Sequence, residues 1–219
     1  QIIRGWASVL QQQEGPAADE RLDHIVTASN SIINLTENAG EFTEVITSGG
    51  SVELTATPLA PAIDGEIRRA RARYQDARID VDGELPDVDV VAHKMLPGVF
   101  RNVLGNALKH NDSERPSVSV TAQIDDGRIL VSIEDNGPGI SDARKESVFQ
   151  RGETETVDTE SGFGLYLVET LLDEFGGDVW IEDAESGGTV VTVELQVAGG
   201  ADERAPSRER PPRNSPADE

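Results

Sequence analysis

The chain has 219 residues, of which 37% are apolar, enough for one ordinary core with a smaller element beside it. Its 41 acidic residues outnumber 19 basic ones and give a net charge of −22. This balance disfavours nucleic acid as a ligand, because binding phosphates needs a basic face. The absence of cysteine excludes disulfides and thiolate metal sites. No run approaches the roughly 18 apolar residues of a membrane span.

The opening segment, QIIRGWASVL, already has the pattern of the middle of a helix, and no starting Met precedes it. We therefore expect a piece of a longer protein. The lack of cysteine and of any targeting or spanning segment favours the cytoplasm, without membrane contact in this fragment. A membrane segment before Gln1 remains an open alternative. The acidic excess is tolerated where salt screens charges over about 3 Å, as at ~1 M. A salt-rich cytoplasm is the favoured setting, and an acidic protein of an ordinary cell is the alternative.

Residues 1–47 are predicted to form a hairpin of two helices, separated at the sequence EGPAADE. Neither helix can bury its apolar stripe alone, so a partner is required. A second copy of the chain would provide it in a homodimeric four-helix bundle, and the domain that follows is the alternative. The stripe of the second helix follows three- and four-residue steps and consists of Leu22, Ile25, Ser29, Ile32, Ile33, Thr36 and Ala39.

The region 51–197 alternates between strand and helix patterns. The β-hairpin is predicted around the Asp-Gly turn of SVSVTAQIDDGRILVSIEDN, and Gly176-Gly177 is predicted to cap the last helix. In chain order the predicted elements are a strand near residue 54, a helix over 59–73, strands near 77–82 and 88–92, a helix in FRNVLGNALKHND (residues 100–112), the β-hairpin, a long polar loop with a short helix over 141–161, a helix over 164–175 and a final hairpin over 178–197.

This order of elements favours an α+β fold, a two-layer α/β sandwich in which helices cover one face of a sheet. Residues 198–219, AGGADERAPSRERPPRNSPADE, are rich in proline and charge and carry scarcely an apolar side chain. They are predicted to be a disordered tail.

The helix in residues 100–112 has an unusual polar stripe. Asn102, Asn106 and Lys109 lie at positions i, i+4 and i+7, with His110 beside them. Two carboxamide oxygens one turn apart can ligate a hard cation, and a lysine one turn further can neutralise a phosphate. Taken alone, such residues on a helix face are most often solvated.

Two glycine-containing segments follow. In EDNGPGI, residues 134–140, Asp135 ends a predicted strand and can accept a hydrogen bond from an exocyclic amine, while Gly137 and Gly139 allow a ring to approach the backbone. An ordinary Asn-Gly-Pro-Gly turn is the simpler interpretation of this segment alone. In GFGLYLVETLLDEFGG, Gly162 and Gly164 precede a helix, whose N-terminus can receive an anion. No lysine follows them as in a Walker loop.

Together, the order and spacing of these motifs resemble those of the ATP-binding domain of sensor histidine kinases, in the superfamily shared with gyrase-type and mismatch-repair ATPases. The segment NVLGNALKHND resembles the N box, DNGPGI the G1 box, VFQRGE the F box, GFGLYLV the G2 box and GGT at 187–189 the last element. The acidic composition makes the resemblance one to kinases of haloarchaeal type. The fold implied is the two-layer ATP-binding sandwich of that superfamily, the Bergerat type.

The resemblance implies roles for individual residues, with ATP and Mg²⁺ as cofactors. Asn106 and Asn102 would hold Mg²⁺, and Lys109 and His110 would contact phosphates. Asp135 would receive the adenine amino group. The remaining implied roles are Gly137, Gly139 and Ile140 beside the base, Gly162, Gly164 and Leu165 in the lid over the triphosphate, Arg151 at the terminal phosphate and Thr189 near the adenine. Of all these residues, Asn106, Lys109 and Arg151 are the ones assigned to catalysis.

The residue at position 102 separates the branches of this superfamily. Gyrase-like hydrolases place a glutamate there to activate water, whereas Asn102 cannot act as a base. A kinase needs mainly alignment and charge neutralisation. The favoured function is therefore a histidine autokinase of a two-component system that passes its phosphoryl group on to a response-regulator receiver aspartate. A conformational ATPase and a nucleotide-binding module without kinase activity are the alternatives.

The hairpin of residues 1–47 resembles the dimerisation and phosphoacceptor hairpin of the same kinases, but it departs from their pattern. No histidine in it is followed by the expected acid and basic residues. Because IIRGWASVL resembles the segment after that motif, the accepting histidine is expected upstream of Gln1. His24 on the second helix is the alternative acceptor.

Overall fold

The computed structural model describes residues 53–145, 147–149, 164–185 and 187–199. The predicted hairpin of residues 1–47, Arg151, Gly162 and most of the predicted tail lie outside the described residues. Ala198 still belongs to the domain, because its backbone N–H donates to the Asp89 carbonyl over 2.8 Å.

The order of elements agrees with the sequence-based prediction. Helix α1 has the predicted bounds, and so does α4. In chain order the described elements are β1 (Thr55–Pro58), α1 (Leu59–Arg73), β2 (Arg78–Val81), β3 (Asp89–Ala92), α2 (Leu96–Lys109), β4 (Ser117–Asp125), β5 (Arg128–Asp135), α3 (Asp142–Lys145), a 3₁₀ turn (Ser147–Phe149), α4 (Gly164–Phe175), β6 (Asp178–Asp183) and β7 (Thr189–Gln196).

Helix α2 begins at Leu96, earlier than the predicted segment of residues 100–112. Pro97 lies in its first turn, where a backbone N–H has no partner within the helix and its absence costs nothing. At the other end, His110 is the C-cap, and its N–H donates to the Asn106 carbonyl over 3.2 Å. The helix thus ends within the polar stripe.

The turns also follow the predicted chemistry. Asp126 and Gly127 both have positive φ, 49° and 76°, as a two-residue hairpin turn requires. Gly176 has φ 68°, and the Gly177 N–H donates to the Leu172 carbonyl over 2.8 Å, which closes the end of α4.

The main sheet has five strands in the order β2-β4-β5-β7-β6. Strand β2 runs parallel to β4, and the other neighbours are antiparallel. Strands β1 and β3 form a separate antiparallel pair. The last hairpin therefore places β7 beside β5, so that the turn before Thr189 lies next to the end of β5.

The sheet is covered by helices on one face, as predicted. Ile129, Val131 and Ile133 of β5 are buried, and they alternate with polar residues such as Ser132, whose Oγ lies 3.0 Å from Thr192 Oγ1 on the other face. Helix α2 packs against α1, α4 and β5. The described residues thus form the predicted α+β two-layer sandwich, and its core fixes where α2 and α4 meet.

Candidate nucleotide-binding site

The polar stripe of α2 meets the beginning of α4. The Asn102 Nδ2 donates to the Gly98 carbonyl over 2.8 Å, so its Oδ1 points away from that bond. A Cβ built on Gly164 would lie 3.1 Å from Asn102 Oδ1 and 3.8 Å from Asn106 Nδ2. The N box and the G2 box are therefore neighbours in space, and the absence of a side chain at Gly164 keeps room for the two carboxamides.

Helix α4 is held in this position by the core. The side chain of Leu165 is 6% exposed and belongs to the core, as does Val168 one turn later. This packing fixes the helix N-terminus, which carries partial positive charge, beside the stripe of α2. A helix N-terminus next to carboxamide oxygens suits an anion that carries a hard cation.

Asp135 ends β5 at the other part of the site. Its Oδ1 accepts hydrogen bonds from the backbone N–H of Gly137, over 2.8 Å, and of Thr189, over 3.3 Å. Burial raises the pKa of the Asp135 carboxyl above its ordinary value of 3.8, and these two hydrogen bonds offset part of that rise. The carboxylate is therefore oriented by backbone groups on both sides and can still accept a donor from a ligand.

Two glycines bring the walls around Asp135 into contact. Gly188 has φ 101°, and a Cβ on it would lie 2.1 Å from the Asp135 carbonyl oxygen. Gly139 has φ 76°, and its Cβ would lie 3.4 Å from the Gly188 carbonyl oxygen. The G1 loop and the β6–β7 turn thus touch backbone to backbone. This contact leaves no room for a side chain at Gly188, and the positive φ favours glycine at both positions.

We expect Gly188→Ala to lower the free energy of unfolding by about 3 kcal/mol, because the new methyl group overlaps a backbone oxygen and the positive φ is strained. Gly187→Ala is the matched control: Gly187 also has positive φ, 82°, but nothing lies within 4 Å of its Cβ position. The Gly187→Ala substitution should lower the free energy of unfolding by only about 1 kcal/mol. Chemical denaturation measures both, and equal losses would contradict the close approach.

Asn111 and Asn136 connect the two parts of the site, and the sequence motifs did not identify them as site residues. Asn111 Nδ2 donates to Asn136 Oδ1 over 2.9 Å, and the same oxygen accepts the Ser117 N–H over 2.8 Å. Ser113 Oγ donates to the Asn136 carbonyl over 2.6 Å. The end of α2 is thereby tied to the end of β5, so the carboxamide stripe and Asp135 keep a fixed separation.

The other predicted site residues are distributed along the same elements. Lys109 and His110 are exposed at the end of α2, and Ile140 is half-buried just before α3. Thr189 is buried and contributes its backbone N–H to Asp135. The structure does not describe Arg151 or Gly162. Among the described residues no group of three or more His, Cys, Asp or Glu side chains is able to hold a metal.

A polar groove lies between β2 and the ends of β4 and β5, and its lining extends to Asp135 and Asn136. Its lining includes Asp80, Asp82 and Glu134, and Arg78 there is already paired with Asp80 over 2.5 Å. Carboxylates in this number repel phosphates. The groove therefore does not compete with the α2–α4 junction as a nucleotide phosphate site.

Part of the chain is similar to a known protein family. Residues 93–199 match the family model described as histidine kinase-, DNA gyrase B-, and HSP90-like ATPase. The sensor protein kinase GraS of Staphylococcus aureus is 30% identical over 130 residues, which cover 58% of this chain and 37% of GraS. The chain thus spans little more than a third of the curated relatives it matches.

The solved structures that resemble this chain also include sensor histidine kinases. The mycobacterial sensor histidine kinase MprB is 27% identical with a TM-score of 0.58, over 65% of this chain and 98% of that one. The nucleotide-free catalytic domain of histidine kinase ThkA is 25% identical with a TM-score of 0.57, and the match covers 66% of this chain and 95% of that one. Full-length ShkA in complex with AMPPNP shares the fold at 21% identity with a TM-score of 0.62, and the match covers 90% of this chain and 43% of that one.

The fold is therefore that of an ATP-binding domain of the sandwich type. More specifically, residues 93–199 match the model of the histidine kinase-, DNA gyrase B-, and HSP90-like ATPase family, and sensor histidine kinases are among the proteins that the chain resembles. Within the described part of the chain, no helix combines the length and apolarity needed to traverse a bilayer.

Proposed function

We propose that this chain is the catalytic part of a sensor histidine kinase, which binds Mg-ATP and transfers the γ-phosphoryl group to a histidine upstream of Gln1. A receiver-domain aspartate of a response regulator would accept the group next. The observation that carries the proposal is the meeting of Asn102 and Asn106 with Gly164, together with the relatedness to sensor kinases.

The residues present fit the two cofactors. Asp135, held by the N–H groups of Gly137 and Thr189, would accept the adenine amino group. The carboxamides of Asn102 and Asn106 would hold Mg²⁺. Because Asn102 Nδ2 donates to the Gly98 carbonyl, Asn102 Oδ1 points away from that bond and is the oxygen that would bind the ion. Two neutral oxygens suffice for Mg²⁺ when nucleotide phosphates complete its shell. When bound, the ion would neutralise charge on the phosphates and align them.

Kinase chemistry is favoured over rapid hydrolysis by the residue at position 102. A carboxamide cannot take a proton from water, and the Asn102 Nδ2 is already engaged with the Gly98 carbonyl. Lys109 at the end of α2 would neutralise phosphate charge, and the catalytic role proposed for Arg151 at the terminal phosphate rests on the family resemblance alone. Transfer to a protein side chain depends on such positioning.

Several features of the whole protein belong to the same proposal. The hairpin of residues 1–47 would form the dimer, the described domain would act in the cytoplasm, and the source would be a haloarchaeal cell. The net charge of −22 supports the last point. A midpoint of thermal unfolding that does not rise with added KCl would contradict it.

Phosphotransfer from [γ-³²P]ATP tests the proposed function. We expect this chain to bind ATP in a Mg²⁺-dependent way by calorimetry but to incorporate no label. The longer protein that includes the residues before Gln1 should become labelled on histidine, in a bond that acid cleaves and base does not.

Three other outcomes would count against the proposal. Labelling of this chain by itself would place the acceptor within it, at His24 first of all. Steady ATP hydrolysis without labelling of the longer protein would favour the conformational ATPase. Absence of Mg-ATP binding would favour a module that has lost its catalytic role.

A further inference from the structure

Lys145, the last residue of α3, lies between two carboxylates on different elements. Its Nζ donates to Asp142 Oδ1 over 2.7 Å within α3 and to Asp183 Oδ2 over 2.6 Å at the end of β6. The Lys145 side chain is only 17% exposed, whereas those of Asp142 and Asp183 are 87% and 65% exposed. The ammonium group is thus held against the protein surface by two partners, which restrains it more than a single surface ion pair would.

The two elements joined by Lys145 are the outer supports of the Asp135 region. On one side, α3 begins two residues after Ile140, close to Gly139 in the chain. On the other side, Asp183 is the register partner of Thr189, whose N–H donates to Asp135 Oδ1. Between them, Gly139 lies against the Gly188 carbonyl. The ionic bridge outside and the backbone contacts inside therefore connect the same two loops.

We propose that Lys145 is a positioning residue for the adenine end of the site. By holding α3 to the end of β6, it keeps the G1 loop against the β6–β7 turn, and Asp135 keeps both of its backbone donors. Lys145 acts through these loops and requires no contact with the ligand. The effect on nucleotide rests on the proposed function, whereas the effect on the loops does not.

Hydrogen exchange of the nucleotide-free protein tests the loop clamp directly. Lys145→Met keeps the length of the side chain and removes its charge. We expect the Gly137 and Thr189 amides, which donate to Asp135, to exchange about fourfold faster in this variant. Arg144→Met is the matched control, since Arg144 is an exposed cation on the same short helix. Lys145→Arg should restore slow exchange, and unchanged exchange in Lys145→Met would overturn the clamp.

Calorimetric titration with Mg-ATP tests the consequence for binding. Lys145→Met should weaken affinity about fourfold at an unchanged midpoint of global unfolding, and Arg144→Met should bind as the parent chain does. Asp183→Asn should reproduce the loss, and the double variant should be no weaker than Lys145→Met alone, because both changes break one bridge.

The two measurements separate the possible failures. Faster exchange without any loss of ATP affinity would overturn the positioning role of Lys145. If the parent chain itself does not bind Mg-ATP, the proposed function fails, and the exchange experiment still decides whether the bridge holds the two loops.

Discussion

Asn106→Ala should lower the rate of phosphoryl transfer in the longer protein at least about 100-fold, because a neutral oxygen that holds the metal on the phosphates is lost. The Mg²⁺ concentration for half-maximal activity should rise as well. Alanine forms helix better than asparagine, so α2 is not weakened by the change. Labelling rates across a Mg²⁺ titration, with the midpoint of thermal unfolding measured in parallel, check both expectations.

Asn111→Ala is the contrasting variant. Asn111 lies just past α2, and its carboxamide donates to Asn136 Oδ1 in a structural bond. Its removal should cost about 1 kcal/mol of stability and leave the Mg²⁺ requirement unchanged. The assignment of Asn106 to the metal fails if its variant keeps the parental Mg²⁺ dependence, or if both variants shift that dependence equally.

The elements of the domain could be predicted because their apolar residues repeat at clear periods. Helix α1 over 59–73 and the hairpin around Asp126-Gly127 are examples, each with the expected bounds or turn. The early start of α2 could not be predicted in this way. Pro97 and Gly98 are typical of a helix break, yet proline fits a first turn and the carbonyl of Gly98 accepts a bond from Asn102.

The chemistry of the site was accessible from the sequence where a residue type has few other uses, as with the paired carboxamides of α2 and the aspartate before Gly137. Supporting contacts were not accessible, because they join distant positions. Asn111 meets Asn136 across 25 residues, and Lys145 meets Asp183 across 38. Each of these four residues, considered without its partner, is typical of a solvated surface position. Only the pairing of β5 with β7 brings Thr189 to Asp135.

Asp135→Asn should weaken ATP binding about 10-fold to 30-fold, since the carboxylate oxygen that accepts the adenine amine is replaced by an NH2 group, which cannot accept a hydrogen bond. Inosine triphosphate carries a carbonyl at position 6 in place of the amine. Its affinity should therefore distinguish the parent chain from the variant. The parent chain should prefer ATP strongly, and the variant should narrow that preference, because its amide can donate to the carbonyl. Competitive titration with the two nucleotides measures the ratio. Glu134→Gln, one residue earlier on the opposite side of β5, controls for the loss of a negative charge.

The same substitution should not destabilise the nucleotide-free protein at neutral pH. Because burial raises the pKa of Asp135 above 3.8, the folded state binds the proton more tightly than the unfolded chain does. Ionisation of Asp135 therefore lowers stability as the pH rises from about 3.8 through the raised pKa. The carboxamide of the Asp135→Asn variant cannot ionise, and its oxygen can still accept from Gly137 and Thr189. Denaturation across this pH range should show Asp135→Asn equal to the parent chain at the acidic end and more stable at neutral pH. If Asp135→Asn is less stable than the parent chain at neutral pH, the carboxylate stabilises the fold, which would contradict a role in ligand binding alone.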